Sequence, residues 1–185
     1  MPKPLLAMIC LWVAWALSWW AAALWASRAQ ARPPLMRELP YRLITAVGVV
    51  LLFHPRLRLI RLWSTPEPAA WALVAVAALG FGLCWWARLH LGRLWSASVT
   101  RKADHRIVDT GPYAVVRHPI YTGVILAAAA MAVIKGSAGA LLGLALMVLA
   151  FWMKARLEER FLGAELGEAA YDDYRRRTGM LFPGL

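Results

Sequence analysis

Charge is scarce in this sequence. Only 17% of its 185 residues are Asp, Glu, Lys or Arg, where a soluble domain carries about a quarter. Acids are the rarer sign, ten against 21 Lys and Arg. Cysteine is rarer still: Cys10 and Cys84 lie far apart inside apolar runs, with no His or second Cys nearby. That excludes a secreted disulfide framework, leaves the two thiols as packing groups, and gives no reason to expect a metal site. Low-complexity linkers and internal repeats are also lacking, so neither a disordered chain nor a repeat array fits.

What is abundant is apolar surface. Hydrophobic residues make up 61% of the chain, and eleven of them are Trp. Several runs approach or exceed the roughly 18 apolar residues that suggest a bilayer span. The composition predicts an all-α, polytopic integral membrane protein of about five transmembrane helices, with no room for a separate soluble domain. The net charge of +11 is not the mark of a nucleic-acid binder, because the basic residues sit between the apolar runs.

The first run, Leu5 to Ala26, is longer than the apolar region of a signal peptide and contains Trp12, Trp15, Trp19, Trp20 and Trp25, so it reads as a membrane helix. A second run, Tyr41 to Phe53, is short for a span and ends at His54-Pro55. Ser64-Thr65-Pro66 suggests a capped start for a third helix, about Pro68 to Leu89, with the hydroxyls capping and the proline in the first turn. These three form an N-terminal part, residues 1–90. In the remainder, 91–185, a polar stretch from Arg88 to His118 leads into two compact runs, Ile120 to Ile134 and Ala138 to Met153, joined at Lys135-Gly136-Ser137. Their many Ala and Gly residues predict a close helical hairpin over 119–153, since small residues let helix backbones approach in lipid. From Lys154 onward the chain reads as a charged, amphipathic C-terminal helix.

With five spans, sixteen Lys and Arg fall on one side and five on the other. The positive-inside rule then puts the N-terminus outside and the C-terminus in the cytoplasm. The 88–118 stretch and the C-terminal segment share the cytoplasmic face, and Arg175-Arg176-Arg177 there suits anionic lipid. The Ala-, Arg-, Leu- and Trp-rich composition hints at a bacterial source, hence an inner membrane.

Two clusters could carry chemistry. One runs from His105 through Gly111-Pro112-Tyr113 to Arg117-His118-Pro119-Ile120-Tyr121-Thr122-Gly123; the other is Arg156-Leu157-Glu158-Glu159-Arg160. Taken singly, each has a plain structural account: a juxtamembrane turn with interfacial Tyr and Arg, and a solvated helix face. His54 reads as interfacial, His90 as a neighbour of headgroups or of the site, and Tyr171 and Tyr174 as either a cover over that site or an anchor.

As an ordered set these residues resemble the isoprenylcysteine carboxyl methyltransferase and phospholipid methyltransferase family of integral membrane enzymes. The likeness begins at Leu91-Gly92 and Trp95-Ser96. It passes through His105, Val108, the Gly-Pro-Tyr and Arg-His-Pro-x-Tyr-x-Gly blocks and Glu158-Glu159, and closes at Leu162, Gly167, Tyr171, Tyr174 and Pro183. The first two helices carry no such signal. The resemblance implies S-adenosylmethionine as methyl donor, in a pocket at the cytoplasmic face. It assigns that pocket to His105, Ile107, Val108, Gly111, Tyr113, His118, Pro119, Tyr121, Gly123, Glu158 and Glu159. Residue chemistry agrees: carboxylates pair with an ammonium or ribose hydroxyls, and aromatic faces suit a sulfonium.

The acceptor implied is lipidic or small and amphipathic, with an isoprenylcysteine-type carboxylate favoured. A carboxylate needs no base but needs a cation to hold it, and Arg117, Arg156 and Lys154 are the choices. An ethanolamine amine would need Glu159 or His118 as base. Arg117, Arg156 and Glu159 are therefore the candidate catalytic residues. Small residues of the hairpin, such as Ala128 and Ala129, with Trp85 or Trp86, are expected to frame an entrance from the bilayer. Three other readings stay open: a phospholipid N-methyltransferase, an NADPH-dependent membrane reductase sharing the Arg-His block, and a non-catalytic membrane protein. Membrane lipids are expected partners, nucleic acid is not, and the oligomeric state is not legible.

Overall fold

A computed structural model describes residues 2–24, 33–57, 59–96 and 107–184. The described residues form six α-helices: α1 (Lys3–Ala23), α2 (Leu35–Phe53), α3 (Glu67–Leu91), α4 (Pro119–Lys135), α5 (Ala138–Leu166) and α6 (Glu168–Arg177). α1, α3 and the Ala138–Ala164 part of α5 are each long and apolar enough to cross a membrane, and α4 is a shorter apolar helix. The chain is an all-helical polytopic membrane protein, as its composition predicts.

Both helix ends at the α4–α5 turn follow local chemistry, and one cap expected elsewhere does not form. Ser137 caps α5 by accepting from the Ala140 amide at 3.3 Å, and α4 ends on Gly136 in the left-handed conformation, a common helix stop. The missing cap is that of α3. It starts at Glu67, behind Pro66, with no side-chain cap. Thr65, expected in that role, donates instead to the Val133 carbonyl at 2.8 Å. The amide of Leu62 donates to the Gly136 carbonyl at 2.8 Å, and that of Ala138 to the Ile60 carbonyl at 2.9 Å. The 60–65 segment is thus a strap across the α4–α5 turn.

α5 does not stop near Met153. It runs 29 residues without a break, about 43 Å at 1.5 Å per residue, which exceeds the roughly 30 Å of a hydrocarbon core. The charged 154–160 stretch is therefore its projecting end. The separate amphipathic helix is only α6, set off by Gly167 at φ 104°.

The expected α4–α5 hairpin forms, but its two helices are not each other's main partners. The dominant pairings are α3 with α4 and α2 with α5. At the first crossing a Cβ on Gly80 would stand 2.6 Å from the Gly123 carbonyl oxygen; at the second, a Cβ on Gly48 would stand 2.9 Å from that of Gly143. The small residues do admit close helices, but the neighbours they admit come from the N-terminal half.

Arg88, counted above with the polar loop, lies inside α3 and is fully buried. Its guanidinium donates to the carbonyls of Ala22 at 2.8 Å and Gly92 at 2.6 Å, and lies 4.3 Å from the Trp95 ring centre. It ties the last turn of α1 to the end of α3. At the other end of the bundle, Lys135 donates to the Leu52 carbonyl at 2.6 Å. The helices alternate in direction, so the segment before α4, the projecting end of α5, and α6 gather at one end.

Candidate functional site

At that end α4 begins. Its first turn carries Pro119, which is buried and has no amide to satisfy there. The preceding strand of chain is pinned by the C-terminal tail. The Arg117 amide donates to the Gly179 carbonyl at 2.8 Å and the His118 amide to that of Met180 at 3.1 Å. The Thr122 hydroxyl donates to the Leu181 carbonyl at 2.6 Å. The tail after α6 thereby closes over the start of α4.

Gly111-Pro112-Tyr113 forms a 3-10 turn, with Gly111 at φ 58°. A Cβ on Gly111 would stand 2.8 Å from the His90 ring, so the glycine makes room for that imidazole, whose Nε2 is 2.9 Å from the Thr110 hydroxyl. His90 braces the turn. The Tyr113 carbonyl in turn accepts from the Tyr174 hydroxyl at 2.7 Å, which fastens α6 to the same turn. Burial pushes the Tyr113, Tyr171 and Tyr174 phenols above the ordinary tyrosine range, so they remain neutral donors at physiological pH.

Beneath this cover lies a cavity of about 370 Å³, within the size range of small-molecule sites. Its polar end is lined by Ile107, Val108, Tyr113, Arg117, His118, Tyr121, Lys154 and Glu158, roofed by Tyr171 and Tyr174. Its apolar end is lined by Trp12, Trp15 and Trp19 of α1, Thr45 and Val49 of α2, and Met147 and Phe151 of α5. The two motif clusters, about forty residues apart in the chain, meet here.

The adjacent acids divide. Glu158 faces the cavity with 29% of its side chain exposed, while Glu159 is 3% exposed. Consecutive helix positions point about 100° apart, so only one can face inward. Glu158 accepts from the Tyr121 hydroxyl at 2.6 Å. Glu159 lies behind the wall, bound by Arg117 Nε at 2.7 Å, His118 Nε2 at 3.1 Å and Arg175 Nε at 3.3 Å. Arg117 Nη1 also donates to the carbonyl oxygens of Arg175, at 3.2 Å, and of Thr178. The His118 and Tyr121 rings stack, with centres 5.1 Å apart and planes 5° apart, and Tyr121 stacks in turn on Phe151 at 5.2 Å.

Other expected residues stand elsewhere. Gly123 does not line the cavity; its open side is filled by Gly80 and Cys84 of α3. Arg156 is exposed, its guanidinium 5.2 Å from the Trp152 ring centre. Ala128 is fully buried in the helix core, and Trp86 is 54% exposed on the outside. Neither frames the cavity. Trp85 reaches it only through the edge of Trp19, 5.7 Å away. His105 lies outside the described residues. The α1 tryptophans have a plain sequence reading as membrane packing; the spacing of Trp12, Trp15 and Trp19 by three and four residues puts them on one helix face, and that face lines the cavity.

A model of the isoprenylcysteine carboxyl methyltransferase family matches residues 72–164, from within α3 to near the end of α5. The chain is 34% identical over 179 residues to methanethiol S-methyltransferase 2 of Bradyrhizobium diazoefficiens, covering 90% of this chain and 64% of that protein. It is 31% identical over 125 residues to the cobalt-zinc-cadmium resistance protein CzcN of Cupriavidus metallidurans, covering 66% and 52%. It is also 34% identical over 119 residues to the nickel-cobalt-cadmium resistance protein NccN of Alcaligenes xylosoxydans xylosoxydans, covering 62% and 51%. The chain thus spans about half the length of the two resistance proteins and under two thirds of the methyltransferase.

Proposed function

Because this chain belongs to the isoprenylcysteine carboxyl methyltransferase family of membrane proteins, we propose that it is an S-adenosylmethionine-dependent methyltransferase whose acceptor is a small nucleophile, a thiol in the first instance. The observation that carries this reading is a cavity whose lining joins charged and aromatic side chains to a row of tryptophans.

The residues at the polar end fit the donor. Glu158 is a cavity-facing carboxylate held in orientation by Tyr121, suited to an ammonium or to ribose hydroxyls. The stacked His118 and Tyr121 rings offer a flat surface beside it, suited to a cationic sulfonium. When bound, the donor supplies an electrophilic methyl group, so that the acceptor's electron pair forms the new bond to carbon while the sulfonium sulfur keeps the pair of the bond that breaks. Tyr171 and Tyr174 exclude water from above, and the Glu159 ion-pair cluster holds Arg117 and His118 still. Orientation and water exclusion are then the main catalytic contributions.

About 370 Å³ shared between donor and acceptor favours a small acceptor over an isoprenylcysteine-type carboxylate or a phospholipid amine. The relative named for methanethiol, similar over 90% of this chain, points the same way. Family membership favours methyl transfer over the reductase and non-catalytic readings. The preponderance of Lys and Arg at the cavity end supports a cytoplasmic orientation for it, and the bacterial source of the relatives favours a bacterial inner membrane, in contact with anionic lipids and not with nucleic acid.

The test is to titrate the purified protein with S-adenosylmethionine and to follow labelled methyl incorporation into methanethiol. Saturable binding, weakened at least tenfold by Glu158→Gln, and labelled dimethyl sulfide are expected. Undetectable binding to the wild type overturns the reading.

A further inference from the structure

A thiol site in an apolar cavity has an electrostatic requirement. The thiolate, not the thiol, is the nucleophile, and an apolar environment disfavours the anion unless a cation stands beside it. Among the described lining residues, the basic side chains are Arg117, His118 and Lys154, and His118 Nε2 is bound to Glu159 at 3.1 Å. Arg117 is held at the back of the wall: its side chain is 8% exposed and is bound to Glu159 and to two backbone carbonyls.

Lys154 is placed differently. Met147, Phe151, Lys154 and Glu158 all line the cavity from α5, at spacings of four, three and four residues that keep them on one helix face. Down that face the lining changes from apolar to cation to anion. The Lys154 ammonium lies 5.1 Å from the Tyr121 ring centre and 5.9 Å from that of Tyr41. It is within electrostatic reach of Glu158 on its own helix, and of Glu38 and Arg42 on α2. One helical turn, about 5.4 Å, separates it from the carboxylate assigned to the donor.

We propose that Lys154 is the catalytic cation of this site, holding the acceptor as a thiolate at the boundary between the tryptophan-lined end and Glu158. This rests on the thiol methyltransferase reading above and adds to it the residue that selects the acceptor's charge. On binding, the thiol gives its proton to solvent and its sulfur remains as an anion paired with the ammonium. An amine acceptor, cationic at neutral pH, is repelled at the same point.

The experiment uses the full chain in detergent, without donor. Methanethiol is titrated calorimetrically in two buffers of different ionisation enthalpy, which counts the protons released on binding. The wild type is expected to release close to one proton per thiol bound at neutral pH. Lys154→Gln is expected to release none, and Lys154→Arg to restore release in part. With donor present, kcat/KM for methanethiol is expected to fall about 100-fold in Lys154→Gln, the loss typical of removing one member of a desolvated charge pair, while the S-adenosylmethionine Kd stays within about threefold. That unchanged Kd also reports an intact fold. Proton release by Lys154→Gln equal to the wild type overturns the assignment, as does an equal loss of donor affinity, which marks a structural role. A wild type that releases the proton yet binds no S-adenosylmethionine overturns the donor reading alone and leaves Lys154 in its role.

Discussion

Arg117 and Glu159, on either side of the membrane hairpin in sequence, form an ion pair of 2.7 Å with both side chains more than nine-tenths buried. The pair is a joint between three segments. Arg117 precedes α4, Glu159 is on α5, and the same guanidinium holds the carbonyls of Arg175 and Thr178 at the end of α6. The conspicuous charged residues of the two motifs thereby serve to fix the walls, while Glu158 and Lys154 face what the walls enclose.

Arg117→Met removes one member of this pair and strands the Glu159 carboxylate. A buried pair broken on one side costs about 3–5 kcal/mol. The expected result is a clear loss of thermal stability in detergent. Glu158→Gln, whose side chain is 29% exposed, should weaken donor binding with little change in melting temperature. If the Glu158 variant is the destabilised one and Arg117→Met melts as the wild type does, the division of roles between the adjacent acids is wrong.

The glycine at the end of the Arg-His-Pro-x-Tyr-x-Gly block has a separate test. Gly123→Ala puts a methyl group 2.6 Å from the Cys84 sulfur and against the Gly80 backbone. Two packed helices must separate, and overpacking of this kind costs about 1–3 kcal/mol. Gly82→Ala, on the same helix as Gly80 with no atom within 4 Å of its Cβ position, should be neutral or slightly stabilising, since alanine is the better helix former. Equal melting temperatures for the two variants would remove the packing account of Gly123.

Much of this was legible in the sequence and some was not, for physical reasons. Apolar run length fixes helix existence, so α3 emerges within two residues at each end. Motif order groups Ile107, Val108, Tyr113, His118 and Tyr121 with Glu158, and these line one cavity. Which helices pair is not legible, because the Ala- and Gly-rich faces of α4 and α5 are suited to any close neighbour; the neighbours prove to be α3 and α2. Glu158 and Glu159 look alike in a sequence, and only the rotation of α5 about its axis separates them. Arg88 looks like a loop charge because the carbonyls that satisfy it, those of Ala22 and Gly92, are invisible to a reading of side chains.

The roof has a pH signature. Tyr113, Tyr171 and Tyr174 have phenols that burial raises above their unfolded value, which is about 10. For an acid whose folded pKa is the higher, the stabilising contribution is fully present below about pH 10 and is lost as the unfolded chain ionises above it. Melting temperature should hold level through neutral pH and drop on the alkaline side of that value. Tyr174→Phe removes one of the three ionisations and also the 2.7 Å hydrogen bond to the Tyr113 carbonyl, worth about 1 kcal/mol. Its alkaline drop should be shallower and its neutral-pH stability slightly lower. A drop of wild-type steepness would show that Tyr174 is not buried in the folded protein.

The α1 tryptophans set the size of the acceptor end. Trp15 stacks on Phe81 with ring centres 4.8 Å apart and on Trp19 at 5.2 Å, so its indole is held in place and forms part of the cavity lining. Trp15→Ala removes a large ring from the end away from Glu158. The expected outcome is a change in acceptor preference: kcat/KM for methanethiol falls, and that for a longer alkanethiol such as butanethiol rises relative to it, because the added chain refills the space. Buried methylenes contribute about 0.8 kcal/mol each, so three extra methylenes suffice to reverse the order of the two thiols. Affinity for S-adenosylmethionine, held at the other end, should be unchanged. Were Trp15→Ala to lose donor binding while keeping the wild-type preference among thiols, the donor and not the acceptor would occupy the tryptophan-lined end.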